Sequence, residues 1–144
     1  MKAAAENRPG PAVWAAVAAG GLAGTEARYG LLTAFPPDVL AVDWTTLGIN
    51  AAASLALGFL TSLWLFNPSA PTWLRAGLGP GLLGSFSTFS ALALHLDQLL
   101  AAERAGTFLL YLLLSLTLGL LSAGAGLALG RLAGQRRLQG REPA

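Results

Sequence analysis

Hydrophobic positions along this chain form long uninterrupted blocks, and the charged residues are confined to the segments between them. Charge-free stretches cover residues 9–25, 44–74, 76–96 and 105–130. A helix needs about 20 mostly apolar residues to cross the hydrocarbon layer of a membrane. The pattern therefore predicts an all-α membrane protein with four transmembrane helices. We place them at roughly residues 12–32, 45–66, 73–100 and 105–132, between an N-terminal tail (1–11) and a basic C-terminal tail (133–144).

Composition supports a membrane protein and argues against an enzyme. The 144 residues are 54% hydrophobic and 11% charged, whereas a soluble domain carries about 25% charged residues. The absence of cysteine excludes disulfides and thiolate chemistry, and a single histidine, His95, excludes a multi-histidine metal centre. We expect no catalytic activity and no nucleic-acid partner. His95 and Asp97, near the end of the third span, are interpreted as interfacial anchors.

The basic residues are distributed unequally between the two predicted faces of the membrane. Seven fall on the face that holds both termini and the 67–72 loop, and two on the other face. The seven are Lys2, Arg8, Arg75, Arg131, Arg136, Arg137 and Arg141, against Arg28 and Arg104. The positive-inside rule then predicts cytoplasmic termini in a multi-pass plasma (inner) membrane protein. A secretory signal is an alternative for the first span, although its glycine run, residues 20–24, favours close helix packing.

The third span contains features that disfavour a regular helix. It carries four glycines and a proline, at Gly77, Gly79, Gly81, Gly84 and Pro80. Glycine weakens a helix and proline removes a hydrogen-bond donor, so we predict a broken helix here. Backbone freed at membrane depth must be buried in protein or line a wet cavity.

Four hydroxyl side chains and two aromatic rings follow the glycines. The hydroxyls are those of Ser85, Ser87, Thr88 and Ser90, and Phe86 and Phe89 alternate with them. Because the two phenylalanines are three residues apart, we expect them to share one helical face. The hydroxyls either bond back to carbonyls one turn earlier or line a functional surface.

Polar side chains also lie near mid-depth in the second and fourth spans. Asn50 has Thr46 one turn before it, and Tyr111 and Ser115 are one turn apart. Such residues either hold helices together or form a polar track through the protein. No carboxylate lies deep in spans two to four, which disfavours a cation-conducting ring or a proton relay.

Three segments resemble the Fluc-type (CrcB) fluoride channel family. They are residues 20–29 (GGLAGTEARY), residues 46–50 (TLGIN) with Gly58, and residues 84–90 (GSFSTFS). The likeness extends over about residues 18–130, and the length and four-span plan agree with it. The third segment, on a glycine-interrupted span behind an asparagine-bearing span, is the most specific of the three.

The resemblance implies a passive fluoride-selective channel in the plasma membrane that relieves fluoride toxicity. It also implies an antiparallel dimer surrounded by lipid, with two narrow pores and a central structural sodium ion (Na+). Carried over by motif, Arg28 lies at the vestibule, and the backbone carbonyls of Gly81 and Gly84 bind sodium. The fluoride pathway would then comprise Asn50, Thr46, Phe86, Ser87, Thr88, Phe89, Tyr111 and Ser115.

The chain departs from the family pattern at three positions. Gly84 stands where threonine is usual, Gly119 where serine is frequent, and Glu26 where an apolar residue is usual. The unequal basic charge leaves two partners open. These are a second copy, giving an antiparallel homodimer, and an oppositely oriented paralogue, giving a heterodimer.

Two other functions are compatible with the sequence. A small four-helix multidrug exporter would exchange protons at a membrane carboxylate, for which Glu26 is the candidate. A non-conducting assembly protein would use its polar residues only to hold helices together.

Overall fold

The computed structural model describes residues 9–139, and they form an all-helical chain. The elements are α1 (Pro11–Ala34), α2 (Trp44–Phe66), α3 (Thr72–Ala76), a π-helical segment (Gly77–Leu83), α4 (Gly84–Phe86), α5 (Phe89–Ala101) and α6 (Ala105–Gln139). Helix accounts for 84% of these residues, and none of them is in a strand. The predicted all-α class is confirmed.

Three of the helical stretches are long and apolar enough to cross a membrane. They are Trp44–Phe66, Thr72–Ala101 and Ala105–Arg136, which correspond to the second, third and fourth predicted spans. The first predicted span, α1, is not among them, although its 24 residues give it sufficient length. Its hydropathy is lower because it contains Glu26 and Arg28 and only three leucines.

Helix α1 packs directly on the backbone of the third span through its glycines. A Cβ atom at Gly20 would collide with the carbonyl of Gly77, and one at Gly24 with the carbonyl of Leu82. The contacts advance in the same direction along both segments, so the two run parallel. This is the close packing predicted from the 20–24 glycine run.

Helices α2 and α6 form a second parallel pair with the same kind of contact. A Cβ atom at Gly126 would collide with the carbonyl of Leu55, and one at Gly134 would overlap the ring of Phe66. Gly130 lies between them and meets Phe59. Spacing of four residues places these glycines on one face of α6, a signal that the sequence analysis missed.

The third span is interrupted, but later than the glycines suggest. The backbone stays helical through Gly77–Leu83 by widening into a π-helix around Pro80, and α4 ends at Phe86. Ser87 and Thr88 are extended, with ψ angles of 157° and 122°. Helix α5 then begins with Thr88 as its N-cap, whose hydroxyl accepts a hydrogen bond from the N–H of Ala91 at 3.2 Å.

The α2–α3 connection and the C-terminal end of α6 lie at the same end of the molecule. Arg75 donates to the carbonyls of Asn67 and Pro68 at 3.0 and 2.9 Å, and Gly134 packs on Phe66 beside them. Helix α6 extends seven residues past the predicted span end at 132, to Gln139. The remainder of the predicted tails, residues 1–8 and 140–144, lies outside the described residues.

Candidate functional site

The site is built around the interruption of the third span, where the side chain of Asn50 replaces missing helical hydrogen bonds. The Thr88 N–H donates to Asn50 Oδ1 at 2.8 Å, and Asn50 Nδ2 donates to the Thr88 carbonyl at 2.9 Å. The break leaves the Thr88 N–H without its helical acceptor, and Asn50 Oδ1 replaces that acceptor. An amide nitrogen carries two N–H donors, so one of them is left to bind a ligand.

A surface groove opens beside this pair. It encloses about 230 Å³ and is lined by Asn50, Ser54, Ser87, Thr88 and Phe89. The Ser87 hydroxyl donates to the Leu83 carbonyl at 3.0 Å. The lining of the groove is neutral and consists of an amide, hydroxyls and an aromatic ring. Phe89 is 80% exposed, so this groove faces out of the chain.

The expectation that Phe86 and Phe89 share a helical face is wrong. Phe86 ends α4 and Phe89 begins α5, and the two extended residues between them abolish the three-residue helical spacing. Phe86 is half-buried and lines a different groove, of about 340 Å³, together with Trp44 and Gly48. The two rings therefore border separate grooves against α2.

Three further residues of the predicted pathway lie inside the chain, between α2 and α6. Thr46 and Tyr111 are fully buried, and Ser115 is half-buried. None of their hydroxyl oxygens has a hydrogen-bond partner among the described residues. Buried polar groups are nearly always hydrogen-bonded, so these three hydroxyls are exceptions within the described residues.

Two residues that the sequence analysis did not place in the site complete this buried region. Asp43 is 3% exposed and caps α2 by accepting the Thr46 N–H at 2.9 Å. His95 is 4% exposed, donates from Nε2 to the Ala41 carbonyl at 2.7 Å and meets the Tyr111 ring edge-on. The interpretation of His95 as an interfacial anchor is wrong, whereas Asp97 is exposed.

A sequence signal for His95 did exist. Leu92, His95 and Leu99 are the buried residues of α5, and their spacing of three and four residues defines its inward face. Asp43 had a weaker signal, because the N-cap role depends on where α2 begins.

The remaining predicted site residues lie on the third span and on α1. Gly81 is buried against Val17, and Gly84 is exposed. The Thr88 N–H, the usual helical donor to the Gly84 carbonyl, is taken by Asn50. Arg28 is half-buried and Glu26 is exposed on α1. Between residues 9 and 139 no three carboxylate or imidazole side chains gather as metal ligands.

Fold and site together define a class: a helical protein with membrane-length apolar segments and a neutral, donor-lined groove at an interrupted span. The chain belongs to the CrcB family. The family model described as "CrcB-like protein, Camphor Resistance (CrcB)" matches residues 15–127.

Several curated relatives carry a functional name. "Fluoride-specific ion channel FluC" of Pseudomonas putida strain F1 is 38% identical over 126 residues, which covers 83% of this chain and 98% of the relative. "Fluoride-specific ion channel FluC 2" of Thermobifida fusca is 39% identical and covers 78% and 84%. The Geobacillus kaustophilus relative of the same name is 34% identical and covers 81% and 91%.

Proposed function

We propose that this protein is a fluoride-selective channel through which fluoride leaves the cell passively across the plasma membrane, which relieves fluoride toxicity. It is not an enzyme. Family membership and the names of its relatives support the ion. The structural observation that carries the proposal is the Asn50 amide, fixed at the interruption of an apolar span with one N–H free in a neutral groove.

Fluoride is small and strongly hydrated, so its pathway must replace lost water with hydrogen-bond donors. An amide and hydroxyls do so without a full positive charge that would trap the ion. Phenyl rings present electropositive edges to an anion. We assign the pathway to Asn50 with the other seven predicted residues, namely Thr46, Phe86, Ser87, Thr88, Phe89, Tyr111 and Ser115. Arg28, half-buried on α1, would raise the local anion concentration outside the constriction.

The proposal includes a fourth membrane span, α1. Its glycines lie against the backbone of the third span from Gly77 to Phe86, and the two run parallel. A helix packed along a membrane-crossing segment in this way occupies the same depth. Parallel packing of α2 with α6 fits the same up-and-down plan, in which odd-numbered spans share one direction and even-numbered spans the other.

A second chain in the opposite orientation would complete the pathway. The groove at Asn50 and the 80%-exposed Phe89 lie on the surface of the single chain. Polar groups at membrane depth are costly against lipid and face protein or water instead. An antiparallel homodimer is the simpler assembly, and a heterodimer with a paralogue would explain the unequal basic charge. Reporter tags on the C-terminus decide between them, since equal signal on both membrane faces would defeat the heterodimer.

A structural sodium ion would fit the neutral backbone of the third span. Because the Thr88 N–H bonds to Asn50, the Gly84 carbonyl keeps its lone pairs for another ligand. The Gly84 N–H is shared between the carbonyls of Gly79 and Gly81. Hard cations bind carbonyl oxygens readily, so the carbonyls of Gly81 and Gly84, with those of a second chain, would hold sodium without a carboxylate.

The central test is fluoride efflux from liposomes that contain the purified protein, followed with a fluoride electrode. We expect passive release that a proton gradient does not change. Asn50→Ala and Phe86→Ala should each reduce it strongly, because one removes the donor and the other an aromatic edge of the pathway. Absence of release from the wild-type protein would favour a non-conducting assembly protein.

The exporter alternative has its own discriminating variant. Glu26 is exposed on α1 and does not line the grooves at Asn50 or Phe86. Glu26→Gln should therefore leave fluoride release largely intact. A loss of transport in this variant, together with dependence on a proton gradient, would support export coupled to protons.

A further inference from the structure

His95 occupies a buried position that the proposed pathway does not explain. It is the only histidine in the chain and lies on the inward face of α5 beside the cluster of Leu47, Leu92, Leu99 and Tyr111. Burying an imidazole is unfavourable unless its polar atoms are bonded. The two contacts that the His95 ring makes therefore indicate its role.

The first contact fixes the plane of the imidazole. His95 Nε2 lies 2.7 Å from the Ala41 carbonyl, and because a carbonyl only accepts, the proton is on Nε2. Ala41 belongs to the segment between α1 and α2, so the bond ties that segment to α5. A short hydrogen bond away from water holds its donor firmly.

The second contact is with the ring of Tyr111, so the orientation of that ring depends on the orientation of the imidazole. The two ring centroids are 5.1 Å apart at an interplanar angle of 75°, the edge-to-face geometry that aromatic rings prefer. The Tyr111 hydroxyl has no hydrogen-bond partner among the described residues. This hydroxyl lies beside Thr46 and Asp43, and the His95 ring packs against the tyrosine ring that carries it.

We propose that His95 is a positioning residue for fluoride permeation: bonded to Ala41, it holds the Tyr111 ring so that the phenol stays beside the Thr46 hydroxyl. This inference rests on the proposed function, because it takes Tyr111 and Thr46 as part of the fluoride pathway. His95 itself does not touch the ion. Its effect passes through the position of one hydroxyl.

The chain is well suited to a test, since it contains only two tyrosines. Tyr29 is 67% exposed and Tyr111 is fully buried. The full-length protein labelled with 13C-tyrosine therefore gives two ring signals by NMR, and Tyr29 serves as an internal reference. Two variants separate the contacts of His95: His95→Phe keeps a ring against Tyr111 but loses the N–H, and His95→Gln keeps a donor but loses the ring. Gln98→Ala, on the exposed face of α5, is the control.

We expect both His95 variants to shift the Tyr111 signal, leave the Tyr29 signal in place and lower fluoride efflux about tenfold, since small misplacements of a binding group cost at least that much. Gln98→Ala should change neither quantity. Two results would overturn the proposal: efflux within about twofold of wild type when Tyr111 has moved, or reduced efflux with Tyr111 unmoved. A wild-type protein that releases no fluoride would overturn the proposed function instead, and the Tyr111 signal would still report whether His95 sets the ring.

Discussion

At the scale of single residues, Asn50 holds together the two halves of the third span. Its amide pairs with both backbone groups of Thr88, at 2.8 and 2.9 Å. A mid-span asparagine was identifiable from the sequence because it is costly in an apolar helix. Its exact partner was not, because the glycines drew the predicted interruption several residues too early.

Asn50→Ala should destabilise the fold as well as the pathway. Two hydrogen bonds are lost, each worth about 1 kcal/mol, and the Thr88 N–H is left without a partner. We expect a lower thermal unfolding midpoint in detergent. Ser54→Ala, one turn along α2 in the same groove, should leave the midpoint almost unchanged. Equal midpoints for Asn50→Ala and wild type would contradict this account of the interruption.

Thr88 contributes separately through its side chain, as the N-cap of α5. Its hydroxyl accepts the Ala91 N–H at 3.2 Å, and removing such a cap costs about 1 kcal/mol. Thr88→Ala should lower the unfolding midpoint, and Thr88→Ser, which keeps the oxygen, should restore most of it. A serine variant as unstable as the alanine variant would show that the methyl group, not the cap, stabilises this position.

The partner of His95 and the capping role of Asp43 could not be predicted from the sequence. Both depend on the path of the segment between α1 and α2, which carries Ala41 to the His95 ring. That path is set by tertiary packing and leaves no periodic pattern in the sequence. The inward face of α5 was readable, but the partner of its histidine was not.

At the scale of elements, glycines determine which helices touch. In both parallel pairs they let one backbone lie against another, and a Cβ at Gly20, Gly24 or Gly126 would meet a carbonyl oxygen. The α1 glycines were predicted to do this. Those of α6 are spaced by four residues inside a leucine-rich span, where apolar content concealed the pattern.

The prediction at this scale compares two glycines on α6. Gly126→Ala would drive a methyl group into the Leu55 carbonyl, whereas a Cβ at Gly124 has nothing within 4 Å. Overpacking of this kind lowers the free energy of unfolding by about 1–3 kcal/mol. We expect Gly126→Ala to lower the unfolding midpoint clearly and Gly124→Ala to leave it unchanged or raise it, since alanine favours helix. Equal effects of the two variants would rule out this backbone contact.

The third span shows how composition predicts an irregularity without fixing its form. Proline cannot donate, and a π-helical widening around Pro80 accommodates it without ending the helix. The helix instead ends at Phe86, where Asn50 can supply the missing partners. The irregularity was predictable from residue types, and its position depended on a side chain from another helix.

At the scale of the whole molecule, one end gathers positive charge and the other holds the buried polar region. Arg75 lies at the α2–α3 connection, and Arg131 and Arg136 are exposed on the last turns of α6. The connection at 35–43 and the His95 region lie at the opposite end. The charge pattern was readable from the sequence, and the three-dimensional pairing of the helices was not.

The proposed sodium site makes a prediction for the assembled protein. A ligand that binds only the folded state stabilises it in proportion to the logarithm of its concentration, by about 2.7 kcal/mol at 100 times Kd. The unfolding midpoint should therefore rise with sodium and fall when N-methyl-D-glucamine replaces it at equal ionic strength. If the unfolding midpoint does not change when sodium is replaced, a structural role for sodium is excluded.

The length of α6 has a geometric consequence. Its 35 residues make a rod of about 52 Å, whereas the hydrocarbon layer is about 30 Å thick. The remaining length of the helix would extend beyond the hydrocarbon layer, and Gln135 is exposed near its C-terminal end. Because the chain lacks cysteine, one thiol introduced there would carry a dye uniquely. In an antiparallel dimer the two dyes would be separated by at least the thickness of the bilayer. In a parallel dimer they would lie on the same membrane surface.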